Sequence, residues 1–306
     1  MSGFRAGFAA LLGKPNAGKS TLLNSLVGAK IAAVSALPQT TRERLAGIYS
    51  DDTRQIIFVD LPGISEPDDR LNECLHANVL DELAGVETII HLIDAADDHP
   101  LTEQVLVALG LVRKPIILAI NKCDGKRAKI DAAAWAGERL PAELRARYVA
   151  MLTVSARDRV GFDALLAEIT KLLPESQPLY DPESLTDRNL RHLTQEMIRE
   201  KTFLHLHEEL PYAIAVQVEE FEEREQGKWF ISATIFVERE SQKGMVIGRG
   251  GAMLKRISQE ARIEIERLCE APVYLELRVK VRENWRKKDW DLREFGFKPP
   301  KKKRKR

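Results

Sequence analysis

The feature that most constrains this chain is an octapeptide near its N-terminus. Residues 13–20 read Gly-Lys-Pro-Asn-Ala-Gly-Lys-Ser and match the pattern G-x-x-x-x-G-K-[ST] at every fixed position. The octapeptide follows an apolar segment and opens a segment with helical periodicity. That context predicts a glycine-rich loop between a strand and a helix, in which backbone N–H groups and the helix N-terminus bind phosphate.

The first part of the chain alternates short apolar runs with helical patterns. Strands are predicted over residues 7–12, 45–49, 55–60, 88–94, 116–121 and 148–154. Helices are predicted over residues 19–27, 70–83, 102–111, 132–147 and 162–173. This alternation predicts an α/β domain with a mostly parallel six-stranded sheet and helices on both faces. The unbroken apolar strands fit a sheet that is buried on both faces.

A polar stretch with three prolines, residues 172–184, interrupts the alternation and predicts a linker. Beyond it, the order of predicted elements is helix, strand, strand, helix, helix and strand, which is a small α+β domain. A short final helix is predicted over residues 286–294. We therefore expect an α/β domain over residues 1–175, a linker over 176–186, an α+β domain over 187–295 and a basic tail over 296–306.

The net charge of +1 hides an uneven distribution. Residues 1–180 carry 20 Lys and Arg against 23 Asp and Glu, and residues 181–279 carry 14 against 19. Residues 280–306 carry 13 against 4 and hold the positive excess. The total argues against a strongly basic nucleic-acid binder, but the basic end suits contact with RNA phosphates or a membrane surface. A solvated tail is the alternative.

The cysteines exclude a disulfide scaffold. Cys74, Cys123 and Cys269 lie far apart and form no CxxC pair, so we expect ordinary thiols in a reducing compartment. No apolar run approaches the roughly 20 residues that a membrane-spanning helix needs. Cleavage of the N-terminal segment as a signal peptide would remove the phosphate loop, so we expect no such cleavage.

Three further motifs follow the phosphate loop, each at the end of a predicted strand. They are Asp-Leu-Pro-Gly at residues 60–63, Asn-Lys-Cys-Asp at 121–124 and Ser-Ala-Arg at 155–157. Each one alone is an ordinary turn after a strand. Their order after the phosphate loop is what indicates a shared site at one edge of the sheet.

These motifs predict a guanine nucleotide as the ligand. Lys19 should reach the β- and γ-phosphates, and the Ser20 hydroxyl should bind Mg²⁺. Asp124 can accept hydrogen bonds from both N1–H and the 2-amino group of guanine, which are donors that adenine lacks. The stem of Lys122 can pack along the base, and the Ala156 N–H can bind guanine O6.

The segments GKPNAGKST, PQTTR, DLPG, NKCD and SAR resemble the five G motifs of the Era family of P-loop GTPases, in the Era order. The resemblance implies GTP and GDP as ligands, with Mg²⁺ as the cofactor. It implies that Thr41 of switch I joins Ser20 on Mg²⁺, with Thr40 as the alternative, and that Asp60 binds the ion through water. The implied nucleotide contacts are Asn16, Ala17, Gly18, Lys19, Ser20, Thr21, Asp60, Gly63, Asn121, Lys122, Asp124, Ser155, Ala156 and Arg157.

Two positions bear on the rate of GTP hydrolysis. Ile64 follows the second motif, where a Ras-type enzyme has a glutamine that orients the attacking water. The resemblance therefore implies slow hydrolysis unless a partner assists. Asn16 matches the asparagine that in several relatives helps to bind K⁺, and a cation there would stabilise charge that develops on the phosphates. Alternatively, Asn16 only forms a turn, because asparagine tolerates left-handed backbone.

Residues 246–251, Val-Ile-Gly-Arg-Gly-Gly, match the V-I-G-x-x-G loop of KH domains. Such a loop clamps the backbone of about four single-stranded nucleotides. The two glycines alone would also fit an ordinary helix–turn–helix, but the order of elements around them predicts a type II KH fold. The candidate RNA contacts are Lys243, Ile247, Gly248, Arg249, Gly250, Gly251, Lys255 and Arg256.

The resemblance covers roughly residues 5–295 and implies a GTP-hydrolysing, nucleotide-gated factor in assembly and maturation of the small ribosomal subunit. The KH domain would bind small-subunit (16S) ribosomal RNA near its 3′ end. We expect a monomer in the bacterial cytoplasm, with peripheral association at the inner face of the membrane as a further possibility. The alternative is a cell-cycle or signalling GTPase whose second domain docks protein or membrane.

Overall fold

The computed structural model describes residues 3–34, 42, 44–62, 70–127, 129–206, 209–224 and 227–299, without the side chains of residues 76–78, 80 and 126. Thr40, Thr41, Gly63 and Ile64 lie outside the described residues, as does the tail from residue 300 onward. The chain divides into two compact units. The first comprises residues 1–66 and 75–187, and the second comprises residues 67–74 and 188–306.

A six-stranded sheet forms the centre of the first unit. Its neighbours follow the order β2-β3-β1-β4-β5-β6, in which β2 is antiparallel to β3 and the other pairs are parallel. This arrangement confirms the predicted α/β fold. The strands are β1 (Arg5–Leu12), β2 (Leu45–Ser50), β3 (Arg54–Asp60), β4 (Thr88–Asp94), β5 (Ile116–Asn121) and β6 (Tyr148–Thr153).

The helices of the first part of the chain largely follow the predicted positions. They are α1 (Lys19–Val27), α2 (Arg70–Ala84), α3 (Glu103–Leu111), α4 (Ala132–Arg139), α5 (Ala142–Arg145) and α6 (Phe162–Leu172). The prediction of one helix over residues 132–147 was wrong. Leu140 is extended and Pro141 precedes α5, and proline lacks the N–H that a continuous helix needs.

The sheet places the sequence motifs side by side. All residues of β5 are buried, as expected of a strand with helices on both faces. The carboxyl ends of parallel strands meet at one edge, where ligands of open α/β sheets bind. Therefore the phosphate loop after β1, the acidic motif after β3 and the two motifs after β5 and β6 all lie at this edge.

The predicted linker, residues 176–186, packs along the sheet as part of the first unit. Gln55 on β3 is fully buried, and its Oε1 accepts hydrogen bonds from the N–H groups of residues 179 and 180. Farther along, the Ile48 N–H donates to the Leu185 carbonyl at 2.9 Å. These contacts fasten the stretch to β2 and β3, so it does not act as a loose tether.

The second unit is built on a three-stranded sheet in the order β7-β8-β9. Strand β7 is antiparallel to β8, and β8 is parallel to β9. The elements follow the predicted order, which confirms the α+β fold. They are α7 (Leu190–His205), β7 (Ala215–Arg224), β8 (Lys228–Val237), α8 (Glu240–Ile247), α9 (Ala252–Cys269), β9 (Val273–Val281) and the short α10 (Asp289–Glu294).

Apolar residues at helical spacing hold the second unit together. Ile257, Ala261 and Ile265 are fully buried along one face of α9, which packs against α7 and β9. After β9, Trp285 is fully buried and donates from Nε1 to the Ala213 carbonyl at 2.9 Å. Phe297 stacks on Trp285, so the start of the predicted tail belongs to the core.

Among the described helices, none combines the length and the apolarity that are needed to cross a bilayer.

Candidate functional site

The loop between β1 and α1 has a shape that depends on glycine. Gly18 precedes α1 with a left-handed φ of 97°, and a Cβ there would lie 2.3 Å from Nδ2 of Asn121. A Cβ on Gly13 would lie 2.3 Å from the Leu92 carbonyl oxygen. Asn16 is exposed with a φ of 64°, a conformation that asparagine tolerates. This backbone fits a loop that binds phosphate through its N–H groups.

Lys19 extends into this loop. Its Nζ donates to the carbonyl oxygens of Gly13 at 3.1 Å and Lys14 at 3.2 Å, and the residue is only 7% exposed. Burial lowers the pKa of Lys19, and the nearby Asp60 partly opposes this shift. An anion in the loop would favour the charged lysine, so this arrangement suits phosphate.

The residues present fit a Mg²⁺ ion. The Ser20 hydroxyl donates to Oδ2 of Asp60 at 2.6 Å, and Asp60 is fully buried at the end of β3. Hydroxyl and carboxylate oxygens are the hard ligands that Mg²⁺ takes, usually together with water and substrate phosphates. Thr21 follows Ser20 on α1 and is half-buried. The third predicted ligand, Thr41, lies outside the described residues.

Asn121 joins the phosphate loop to the last motif. Its Nδ2 donates to the Ala17 carbonyl at 2.8 Å, and its Oδ1 accepts from the Ala156 N–H at 3.0 Å. Ser25 on α1 also donates to the Ala156 carbonyl, at 2.6 Å. The sequence did not predict this bridge. The Ala156 N–H, which is the predicted donor to guanine O6, donates to Asn121 in this structure.

Asp124 forms an ion pair with Arg157, the last residue of the Ser-Ala-Arg motif. Nη2 of Arg157 lies 2.6 Å from Oδ2 of Asp124, whose side chain is 19% exposed. Arg157 also binds Asp158, and the Asp158 N–H donates to the buried hydroxyl of Ser155. A carboxylate at this place has the acceptors that guanine N1–H and the 2-amino group require.

Two lysine–aspartate pairs at this edge were missed by the sequence reasoning. Nζ of Lys122 binds Oδ2 of Asp94 at 2.8 Å, and Nζ of Lys14 binds Oδ2 of Asp97 at 2.6 Å. The positions of the two aspartates could have predicted these pairs. Both stand at or just after the carboxyl end of β4, which lies between β1 and β5. These pairs connect the turn after β4 to the phosphate loop and to the Asn-Lys-Cys-Asp motif.

The glycine-rich loop of the second unit lies between α8 and α9. Gly248 has a φ of 72°, and a Cβ there would lie 2.7 Å from the Met253 Cβ, so the loop has no room for a side chain at this residue. Gly250 and Gly251 also have positive φ, of 59° and 80°, but a Cβ on either would meet no atom of the described residues within 4 Å. These two glycines therefore keep the loop backbone accessible.

Basic side chains surround this loop. Arg249, Lys255 and Arg256 are exposed, whereas Lys243 and Ile247 are half-buried. Ion pairs hold two of the cations to their own helices, with distances of 3.2 Å from Arg256 to Glu260 and 3.8 Å from Lys243 to Glu240. The structure thus brings the predicted RNA contacts together on the end of α8, the loop and the start of α9.

Comparisons with known proteins find matches to both units of the chain. Residues 8–122 match the family model described as a 50S ribosome-binding GTPase, and residues 209–286 match the KH domain model. GTPase Era of Carboxydothermus hydrogenoformans is 42% identical over 297 residues, which cover 96% of this chain and 98% of that protein. The chain belongs to the Era GTPase family. GTPase Era of Neisseria meningitidis serogroup A is 43% identical over 298 residues, with 96% and 95% covered.

Two solved Era structures match nearly the whole chain. Era in complex with MgGDPNP and nucleotides 1506–1542 of 16S ribosomal RNA matches with a TM-score of 0.87 at 34% identity, covering 96% of this chain and 99% of that one. An Aquifex aeolicus Era variant bound to GDP and AlF4⁻ matches with a TM-score of 0.87 at 35% identity and the same coverage. As an Era family member, the chain is a GTPase with a C-terminal KH domain.

Proposed function

We propose that this protein binds GTP and GDP with Mg²⁺, and that the bound nucleotide controls its affinity for 16S ribosomal RNA, which we call gating. The RNA site would lie near the 3′ end, and the step would belong to assembly and maturation of the small ribosomal subunit. One observation carries the proposal: the guanine-nucleotide motifs and a KH glycine loop occur in one chain. Era has been solved with both MgGDPNP and this region of 16S RNA bound, which supports the same pairing here.

The residues of the first unit divide the work of nucleotide binding. The loop backbone and Lys19 bind phosphate, and Asp124 reads the guanine edge while the Lys122 stem packs along the base. Ser20 and Asp60 would hold Mg²⁺, with Thr41 or Thr40 completing the set, and the ion supplies positive charge against the phosphates when it is bound. The remaining contacts that we propose are Asn16, Ala17, Gly18, Thr21, Gly63, Asn121, Ser155, Ala156 and Arg157.

The residues of the second unit would bind RNA largely through its phosphates. Positive charge by itself would add affinity with little sequence specificity. The loop backbone at Gly248–Gly251 approaches the phosphates, and Arg249, Lys255 and Arg256 add positive charge. The basic tail would contribute further contacts with RNA phosphates. We propose a cytoplasmic bacterial monomer, for which peripheral contact with the membrane is a second use of the same tail.

The RNA affinity should depend on the nucleotide. An RNA that covers nucleotides 1506–1542 should bind more tightly when the protein holds a non-hydrolysable GTP analogue than when it holds GDP. Couplings of this kind are typically about 5- to 150-fold. Fluorescence anisotropy with Mg²⁺ and saturating nucleotide measures both affinities. Equal affinities would contradict the gating, and absence of RNA binding in both states would favour the signalling alternative.

Hydrolysis should be slow and should respond to K⁺. Ile64 cannot orient a water molecule, so a cation near Asn16 becomes a candidate source of charge stabilisation. We expect GTP turnover to be about tenfold faster in K⁺ than in Na⁺. Asn16→Gly should abolish this difference, because glycine keeps the left-handed backbone and removes the side chain whose oxygen would bind K⁺.

Turnover of both proteins is measured in matched KCl and NaCl buffers, with nucleotide affinity as the control. Loss of GTP binding in Asn16→Gly would show a damaged loop instead of a lost cation ligand. Equal rates in the two salts for the unmodified protein would refute the K⁺ proposal.

A further inference from the structure

Arg44 binds carboxylates from two distant parts of the first unit. It stands between the switch I motif, residues 38–42, and the start of β2. Its Nε lies 2.9 Å from Oε2 of Glu82 on α2, and its Nη1 lies 2.5 Å from Oδ2 of Asp187. The side chains of Arg44 and Asp187 are 26% and 17% exposed, so the protein shields much of this ion pair from water.

Asp187 is the last residue of the first unit, and it is also fastened to the backbone of β2. Its Oδ1 accepts a hydrogen bond from the Ala46 N–H at 3.3 Å. The neighbouring Thr186 hydroxyl donates to the Ala46 carbonyl at 2.7 Å, and Thr186 forms an isolated antiparallel bridge with Gly47. The end of the first unit is therefore attached to the strand that directly follows switch I.

Glu82 connects the same arginine to the helix that follows residues 63–69, which we call switch II and propose as the second nucleotide-sensing segment. Helix α2 begins at Arg70, directly after residues 63–69, which follow the Asp-Leu-Pro sequence at the carboxyl end of β3. Glu82 lies in the last turns of this helix. A helix moves largely as a stiff rod, so a shift at its start changes the position of Glu82 relative to Arg44.

The charges favour a guanidinium at this place. Burial alone would lower the pKa of Arg44, but the hydrogen bonds and charges of Asp187 and Glu82 outweigh it and raise the pKa. The planar fork of an arginine can bind two carboxylates at fixed angles, whereas a lysine ammonium is a point charge on a flexible stem. The residue type therefore matters as well as its charge.

We propose that Arg44 is a positioning residue that passes the nucleotide state from the two switch segments to Asp187, and thereby sets the difference in RNA affinity between the GTP and GDP forms. The inference rests on the proposed gating of RNA binding. Arg44 acts through Glu82 and Asp187. One nucleotide state keeps both carboxylates within reach of the guanidinium, and the other state separates one of them.

The test compares the RNA affinities of the full-length chain with a GTP analogue and with GDP. The ratio of the two affinities, expected at about 5- to 150-fold in the unmodified protein, should fall to near one in Arg44→Ala and in Asp187→Asn. The ratio in Arg44→Lys should lie between that of the unmodified protein and one. Nucleotide affinity should stay within about twofold in all variants. The double variant Arg44→Ala/Asp187→Asn should show no further loss, because both substitutions break the Arg44–Asp187 ion pair.

Arg54→Ala is a matched control. Arg54 starts β3 of the same sheet, is similarly shielded with a 23% exposed side chain, and binds Asp51 at 2.8 Å and Thr170 at 3.0 Å. It has no described link to α2 or to Asp187. The Arg54→Ala substitution should leave the affinity ratio unchanged, although it removes a comparable ion pair.

The outcomes separate the two proposals. A ratio of one in the unmodified protein refutes the gating itself and the role of Arg44 with it. A large ratio that survives in both Arg44→Ala and Asp187→Asn refutes only the role of Arg44. A ratio that collapses equally in Arg54→Ala also overturns the inference, because the cause would then be general loosening of the sheet.

Discussion

Replacement of Asp124 by asparagine should shift the nucleotide preference from guanine toward xanthine. The Asp124 carboxylate offers two acceptors to the N1–H and 2-amino donors of guanine. An asparagine has an NH₂ group in place of one carboxylate oxygen, and this group cannot accept a hydrogen bond from the 2-amino group of guanine. It can instead donate to the 2-carbonyl of xanthine. Sites built around such hydrogen bonds discriminate by about 10⁴- to 10⁵-fold, so we expect the ratio of GDP to XDP affinity to fall by at least about 10³-fold.

Competition of GDP and XDP against a fluorescent nucleotide measures this ratio. Asp131→Asn is the control, because it makes the same chemical change at the N-cap of α4, where Asp131 accepts from the Ala134 N–H. Asparagine also caps helices well, so that variant should keep its stability and its guanine preference. An Asp124→Asn protein that still prefers GDP as strongly as before would refute the assignment of Asp124 to the base.

Substitution of Gly250 by aspartate should remove most RNA binding, whereas substitution by asparagine should not. Gly250 has a φ of 59°, and a Cβ there would meet no atom of the described residues within 4 Å. Asparagine and aspartate are the side chains that best tolerate this backbone, so the two variants have the same shape and differ in charge. A carboxylate beside the RNA phosphates adds like-charge repulsion of several kcal/mol, so we expect a loss of about 100-fold or more.

RNA affinity and nucleotide affinity are measured for both variants in the GTP form. Gly250→Asn should bind RNA within about threefold of the unmodified protein, and neither variant should change nucleotide affinity. Equal losses in both variants would indicate a steric effect instead of repulsion. Full RNA binding by Gly250→Asp would place the RNA site elsewhere. Gly248 is the poorer choice for this test, since any side chain there meets Met253.

Local patterns predicted most of the elements. Strands β4 and β5 and helix α1 begin and end at the predicted residues, because apolar runs bounded by turn residues define them without reference to the rest of the chain. The error at residues 132–147 came from weighting helical periodicity above Pro141. The packing of the predicted linker was missed for another reason. The composition of the linker is polar and rich in proline, and it does not reveal that the buried Gln55 binds the linker backbone.

The sequence by itself determined the chemistry of both sites. The phosphate loop, the Asp-Leu-Pro-Gly, Asn-Lys-Cys-Asp and Ser-Ala-Arg motifs and the KH loop are short runs, in which the residue types and their order carry the information. Only the tertiary structure decided which groups meet. Asn121 joins Ala17 to Ala156, and Arg44 joins Glu82 to Asp187. These partners lie far apart along the chain and become neighbours only through strand order and helix packing, which no local pattern records.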